Sequence, residues 1–193
     1  MGSLSLPFYK KIVGPLLLLL TLSLGAKEIE GVILTDAMTC EGKQLSLSGA
    51  GLRTATFLKV KVFVLGVYAE KKILQGKGSE LDQRPLCFSI TYLRDFDNED
   101  VDKAWDYQFK ESSQHQYPEF QNDVASVKKF FGEIKGAKNQ MFALLPDRTL
   151  AYENGELKGE IKGTDFQKSF LSIWFGKNPP TKELQRSLLN EAK

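Results

Sequence analysis

The sequence predicts an α+β fold in which an antiparallel sheet carries helices on one side. Three observations predict it. Gly51 to Glu70 (GLRTATFLKVKVFVLGVYAE) is a long β-rich run without proline. Two stretches beginning near Asp97 and Pro118 repeat apolar residues at helical spacing. Strand-like sequence then resumes at Met141, turns at Asn154-Gly155 and gives way to two more helical stretches. Strands, two helices, strands, two helices is the order of an antiparallel sheet with segregated helices, not of an alternating parallel one.

The first 26 residues read as a targeting segment. Lys10 and Lys11 form a basic start, Ile12 to Leu24 is apolar, and the small residues Gly25 and Ala26 offer a cleavage point. Gly14 and Pro15 interrupt the apolar run, which is shorter than the ~20 residues a spanning helix needs; a retained anchor is the alternative. Export to the periplasm is therefore expected, with residues 27–193 forming one domain. Removing Lys10 and Lys11 from 26 Lys+Arg leaves 24 against 24 Asp+Glu. A chain balanced near neutrality lacks the basic patch that a nucleic-acid partner requires. It also has no basic amphipathic stretch for a membrane surface, so no stable membrane insertion is expected after the signal is removed.

In chain order, Glu28 to Thr39 and Gln44 to Ser48 read as a hairpin turned at Glu41-Gly42-Lys43. Gly49-Ala50-Gly51 then releases the chain into the central run. Lys71 to Arg84 is a polar crossover with Gly76 and Gly78, with room for a short helix at Ile73, and Leu86 to Leu93 is the next strand. Asp97 or Asn98 caps a helix whose buried stripe is Val101, Trp105 and Phe109. A second helix runs from about Pro118 to Lys135, with Phe120, Val124, Val127, Phe131 and Ile134 on one face. Met141 to Leu145 and Leu150 to Tyr152 are strands joined through Pro146-Asp147-Arg148, and Asn154-Gly155 is the strongest hairpin signal. Thr164 or Asp165 caps a third helix carrying Phe166, Phe170, Ile173 and Trp174, closed by Gly176 in the left-handed position after a helix end. Thr181 starts the last helix, which ends near Ala192.

Within the central run, even positions from Thr56 to Tyr68 are almost wholly apolar, whereas odd positions mix Lys59 and Lys61 with Phe57 and Phe63. Strand side chains alternate faces, so one face belongs to the core. As one strand, about fourteen residues would span over ~40 Å, which demands a large, bent sheet. Arg53 shares parity with Lys59, Lys61 and Phe63 as long as no bulge intervenes.

Familiar catalytic signatures are missing. There is no Gly-rich phosphate loop, nucleophile elbow or zinc motif, and no metal or cofactor is expected. His115, in SSQHQYP, has no acidic or nucleophilic neighbour and reads as a surface residue. Cys40 and Cys87 are the two cysteines; an oxidising compartment would let them bond, and as free thiols they would be small buried hydrophobes.

The central run resembles the strand of chalcone isomerase and its relatives in which a Gly-Leu/Ile-Arg opening precedes a Gly-Val/Leu-Tyr end. YLRD before a helix containing KAW, and GTDFQKSFLSIWFGKNPPTKELQRSLL near the end, are likewise similar to the exported bacterial chalcone isomerase-like proteins. The resemblance implies an open-faced β-sandwich, a large bent antiparallel sheet covered by a layer of helices over a ligand cleft. It also implies where the isomerase residues fall. Arg53 matches the arginine that holds and polarises substrate. The strand threonine falls on Phe63, the helix tyrosine near Val101, the asparagine near Gln108, and the Thr or Ser before the final Gly on about Ile173. Plant fatty-acid-binding members of the fold take a carboxylate with an arginine and a strand tyrosine; here the tyrosine position is again Phe63, with Lys61 or Tyr107 as substitutes.

The expectation is an exported, non-catalytic binder of a fatty acid or similar apolar anion. Its head group would sit on Arg53, and Phe63, Ile173 and Trp174 would line the tail. An isomerase or lyase with Arg53 as electrophile is the second reading. A structural or interaction module, with Arg53 engaged by a buried carboxylate and no cleft, is the third.

Overall fold

A computed structural model of the chain describes residues 25–73, 81–113 and 117–191. Residues 1–24 of the predicted signal segment, the predicted turn residues Gly76 and Gly78, and His115 lie outside the described residues, whereas Gly25 and Ala26 are described. Nine strands and four helices are described: β1 (Ala26–Ile29), β2 (Val32–Thr35), β3 (Ala37–Cys40), β4 (Lys43–Ala55), β5 (Val60–Ala69), β6 (Leu86–Tyr92), α1 (Asn98–Ser113), α2 (Tyr117–Phe130), β7 (Asn139–Leu144), β8 (Arg148–Glu153), β9 (Glu156–Lys162), α3 (Asp165–Phe175) and α4 (Lys182–Leu188). β3 to β9 form one seven-stranded antiparallel sheet in chain order, and β1 and β2 form a separate hairpin. The α+β fold with helices over one sheet face is thus as the residue pattern predicts.

Gly51 to Glu70 is not one strand. The chain reverses at Thr56–Lys59, so that β4 and β5 pair antiparallel from Ala55↔Val60 back to Ser46↔Ala69. Thr56 and Lys59 both take positive φ, 61° and 52°, and the Lys59 N–H donates to the Thr56 carbonyl at 3.2 Å. Nothing at these positions announces a turn, because Thr-Phe-Leu-Lys contains no Gly, Asn or Pro. The reversal leaves a ten-residue β5 in place of one longer strand and puts Arg53 directly opposite Phe63.

The glycine turns expected at Glu41-Gly42 and Asn154-Gly155 are present, and a further one, not expected, lies at Glu30-Gly31. Glu30-Gly31, Glu41-Gly42 and Asn154-Gly155 each place both residues at positive φ, the geometry that matches sheet twist in a two-residue hairpin. Glu30-Gly31 therefore splits the expected first strand into β1 and β2 before β3 begins. Helix ends differ more. α2 stops at Phe130, because Gly132 disfavours helix and Ile134 instead pairs with Phe96 through two backbone bonds of 2.8 and 2.9 Å. α4 ends at Leu188 rather than near Ala192. Gly176 has φ −79°, so it closes α3 in extended backbone, not in the left-handed conformation. Ile73 is buried outside any helix, its N–H donating to Ser48 Oγ.

The main core lies between the helices and the sheet face bearing Leu65, Val67, Phe88, Ile90 and Phe142. Phe109 on α1 and Phe166 and Phe170 on α3 fill it, and the β4 glycines admit α4. A Cβ at Gly49 would stand 2.1 Å from the Leu188 carbonyl oxygen, and one at Gly51 2.9 Å from a Leu184 methyl. Behind the sheet a second cluster joins Leu45, Tyr68, Ala143 and Leu150 around a disulfide between Cys40 and Cys87. The sheet curls far enough to bring their Cα atoms to 6.5 Å across 47 residues of sequence. A closed loop of that length removes enough unfolded-chain entropy to stabilise the fold by about 4 kcal/mol. Replacing both cysteines by serine is therefore expected to lower unfolding free energy by roughly 2–4 kcal/mol. Denaturant midpoints of oxidised wild type and the double variant, with reduced wild type as the reference, measure it.

Candidate functional site

A cavity of about 410 Å³ opens between β4, β5 and β6 on one side and α1 and α3 on the other. Its sheet wall is Arg53, Ala55, Val62, Phe63, Ile90 and Tyr92. α1 contributes two adjacent stripes at i, i+4, i+7 spacing. Val101, Trp105 and Gln108 face inward, and Asp100, Ala104 and Tyr107 form an exposed rim. α3 supplies Ile173 and Trp174, and Phe96, Ile134 and Pro180 complete the enclosure. Apart from Arg53, Gln108 and the Asp100–Tyr107 rim, these walls are predominantly apolar.

Side-chain phase at the sheet wall depends on a bulge. Arg53 pairs with Phe63 but Thr54 pairs with Lys61, leaving Val62 as an extra residue. Two residues on one strand against a single position on the other break the alternation. Val62 and Phe63 consequently both reach the cavity, and Lys61 does not. Lys61 forms an ion pair with Glu30 of the β1–β2 turn, so the expected second cation is outside the site. The other expected residues (Arg53, Phe63, Tyr107, Gln108, Ile173 and Trp174) all line this one cavity.

Arg53 is half-buried, and no hydrogen bond or ion pair to it is found among the described residues. Burial lowers its pKa and the nearby Tyr107 phenol raises it. A guanidinium remains charged even so, and a partly desolvated cation without a counter-ion gains more than a solvated one from an incoming anion. Asp100 is the one carboxylate among the described lining residues and is solvent-exposed at the rim, where water and salt screen it.

Two further polar groups were not legible as such in the sequence. The Trp174 indole N–H is buried with no acceptor among the described residues, leaving an orphan donor on a lining residue. Tyr92 lines the cavity too, but its hydroxyl donates to Gln140 Oε1 at 3.0 Å. Burial, reinforced by Glu153, raises the Tyr92 pKa far above the ordinary phenol value. Tyr92 is thus a committed, neutral donor. Only tracing its partner through the fold could reveal this. Rings fix the wall, with Phe63 edge-on to Tyr92 at 5.7 Å and to Trp174 at 6.2 Å between centroids.

The geometry defines a class: an antiparallel sheet roofed by helices over an apolar cleft with one unpaired arginine. The chain belongs to the chalcone isomerase-like family, which it matches over residues 26–190. Among solved structures it is similar to the Arabidopsis thaliana fatty-acid binding protein AtFAP1, with a TM-score of 0.68 at 15% identity, covering 86% of this chain and 96% of that one. That likeness is one of fold. Comparison with curated protein sequences finds no match.

Alkaline titration tests the Tyr92 assignment. A folded-state pKa raised above the unfolded value of about 10 contributes stability that is complete below pH ~10 and lost as pH rises beyond it. Tyr152, whose hydroxyl donates to Glu41, is pushed to about 12 by burial and that carboxylate, so it acts in the same direction. Unfolding free energy is expected to fall above pH ~10, and less steeply in Tyr92→Phe, as followed by denaturant titration across that range. An unchanged slope in the variant would place the Tyr92 hydroxyl in water.

Proposed function

We propose that this protein is an exported, non-catalytic binder of a fatty acid or a similar apolar anion, with its head group on Arg53 and its tail against Phe63, Ile173 and Trp174. The observation that carries the reading is the unpaired guanidinium in an otherwise apolar cavity of about 410 Å³. That volume lies within the 300–1,000 Å³ range of small-molecule sites. A carboxylate would give Arg53 the charge-assisted bonds it lacks, and an alkyl chain is matched by the aromatic and aliphatic walls. The structural neighbour is named a fatty-acid binding protein, which agrees with this chemistry. An interaction module with Arg53 locked by a buried carboxylate is less well supported, since among the described residues no such partner exists and the cleft is open.

Titration with a long-chain fatty acid and with the alcohol of equal length tests the reading. The acid is expected to bind more tightly. Arg53→Ala is expected to weaken acid binding about 10- to 150-fold, the equivalent of 1.5–3 kcal/mol for bonds to a charged group, while leaving the alcohol nearly unchanged. Equal affinity of wild type for acid and alcohol sinks the proposal.

Export belongs to the same reading. The Cys40–Cys87 bond supports an oxidising compartment such as the periplasm. Fractionation with mass determination of the recovered protein is expected to find it outside the cytoplasm, beginning after Gly25 or Ala26.

A further inference from the structure

The β4–β5 hairpin ends in two large apolar side chains that the fold leaves in water. Phe57 is 91% exposed and Leu58 69% exposed. The chain's two-residue hairpin turns, by contrast, carry no large apolar side chain: Glu30-Gly31, Glu41-Gly42 and Asn154-Gly155. The β4–β5 tip is also held in an unfavourable backbone, with the β-branched Thr56 at φ 61° and Lys59 at 52°. A β-branched residue in that region is an outlier that a structural turn has no need of. The hairpin's charge is of one sign: Gly51 to Ala69 contains Arg53, Lys59 and Lys61 and no acidic residue. Glu30 answers Lys61, whereas Lys59 is exposed beside the apolar pair and has no ion-pair partner among the described residues.

The tip is continuous with the cavity. Ala55, two residues before Phe57, and Val62, four after Leu58, both line it. At about 3.4 Å per strand residue, Phe57 lies within ~7 Å of a cavity wall along the chain. Exposed apolar residues next to an unanswered cation, at the lip of an apolar pocket, match a layered partner. That partner is hydrocarbon beneath anionic headgroups.

We propose that Phe57 and Leu58 dock reversibly on an anionic lipid bilayer, with Lys59 among the headgroups, and that ligand passes between bilayer and cavity at this lip. Two side chains give a transient contact at the interface and do not span it. The docking stands on the hairpin itself; the passage of ligand rests on the fatty-acid reading above.

Both cysteines of the chain are bonded to each other, so Leu58→Cys offers a single labelling site, and Leu157→Cys, on a residue 54% exposed in β9, serves as control. An environment-sensitive fluorophore at residue 58 is expected to shift to the blue on vesicles of phosphatidylcholine mixed with phosphatidylglycerol, and less on phosphatidylcholine alone. At residue 157 it is expected to stay unchanged. Phe57→Ser with Leu58→Ser should keep its fatty-acid affinity in vesicle-free buffer and slow uptake from the mixed vesicles about tenfold. Arg53→Ala should do the reverse, losing affinity in buffer while keeping the shift at residue 58. A label at 58 that stays in water overturns the docking. So does self-association through the tip without any vesicle effect. Unchanged uptake by the double serine variant overturns passage at the lip. A wild type that shows the shift but binds no fatty acid keeps the docking and rejects the ligand reading.

Discussion

The extra residue Val62 decides what the cavity contains. In a regular strand Lys61 and Phe63 would face the same way, and the ammonium would join the guanidinium against the same apolar wall. Two like charges there would repel each other in a medium that screens poorly. The bulge between Arg53↔Phe63 and Thr54↔Lys61 reverses the phase. Lys61 leaves for Glu30, and Val62 and Phe63 take the inner face. Bulges also sharpen strand twist, which suits a sheet that must curl under the helices. One insertion thus supplies a single cation, its apolar surroundings and part of the curvature.

A cavity of this size inside a close-packed protein needs walls that resist collapse, because voids forfeit packing energy. Aromatic rings supply them. Trp105 of α1 meets Phe142 of β7 edge-on at 5.7 Å, and Trp174 of α3 meets Phe63 of β5 and Phe170 one turn away. Such rings have few rotamers and prefer offset or edge contacts, so they set the spacing between helix and sheet. α4, seated on Gly49 and Gly51, holds the sheet's other flank. On the far face the disulfide and the Tyr152–Glu41 bond tie the β3–β4 turn to β6 and β8. The ring contacts fix the spacing of the two walls that face each other across the cleft.

Much of this was legible in the residues. Helical stripes such as Val101-Trp105-Phe109 and the turn at Asn154-Gly155 are local signals, and local physics decides those elements. Arg53 and Phe63 were placed on one face by parity, and they do share it, though as partners across a hairpin rather than neighbours along a strand. The sequence hid what depends on tertiary context. Thr56 to Lys59 turns without a turn residue, so the two strands read as one. The bulge leaves no compositional mark, which is why Lys61 was expected inside. The orphan indole of Trp174 and the commitment of Tyr92 to Gln140 are outcomes of hydrogen-bond accounting, which no linear pattern contains. Cysteine pairing was open because two cysteines 47 residues apart say nothing of how a sheet curls.

The chemistry of the cavity bears on whether it catalyses or only binds. Acceleration requires groups that bind a transition state better than the ground state, aimed where charge develops. In this cavity the positions that the isomerase resemblance assigns to donors hold Phe63, Val101 and Ile173, none of which donates. The Tyr92 hydroxyl is already engaged. Arg53 remains, with Gln108 and the unpartnered Trp174 indole among the lining residues. An arginine facing a substrate that is already an anion stabilises it before and after any bond changes. An interaction of equal strength in both states lends affinity without lowering a barrier. The apolar anion proposed as ligand would bring a full charge in its ground state, and its hydrocarbon remainder would match the rest of the wall.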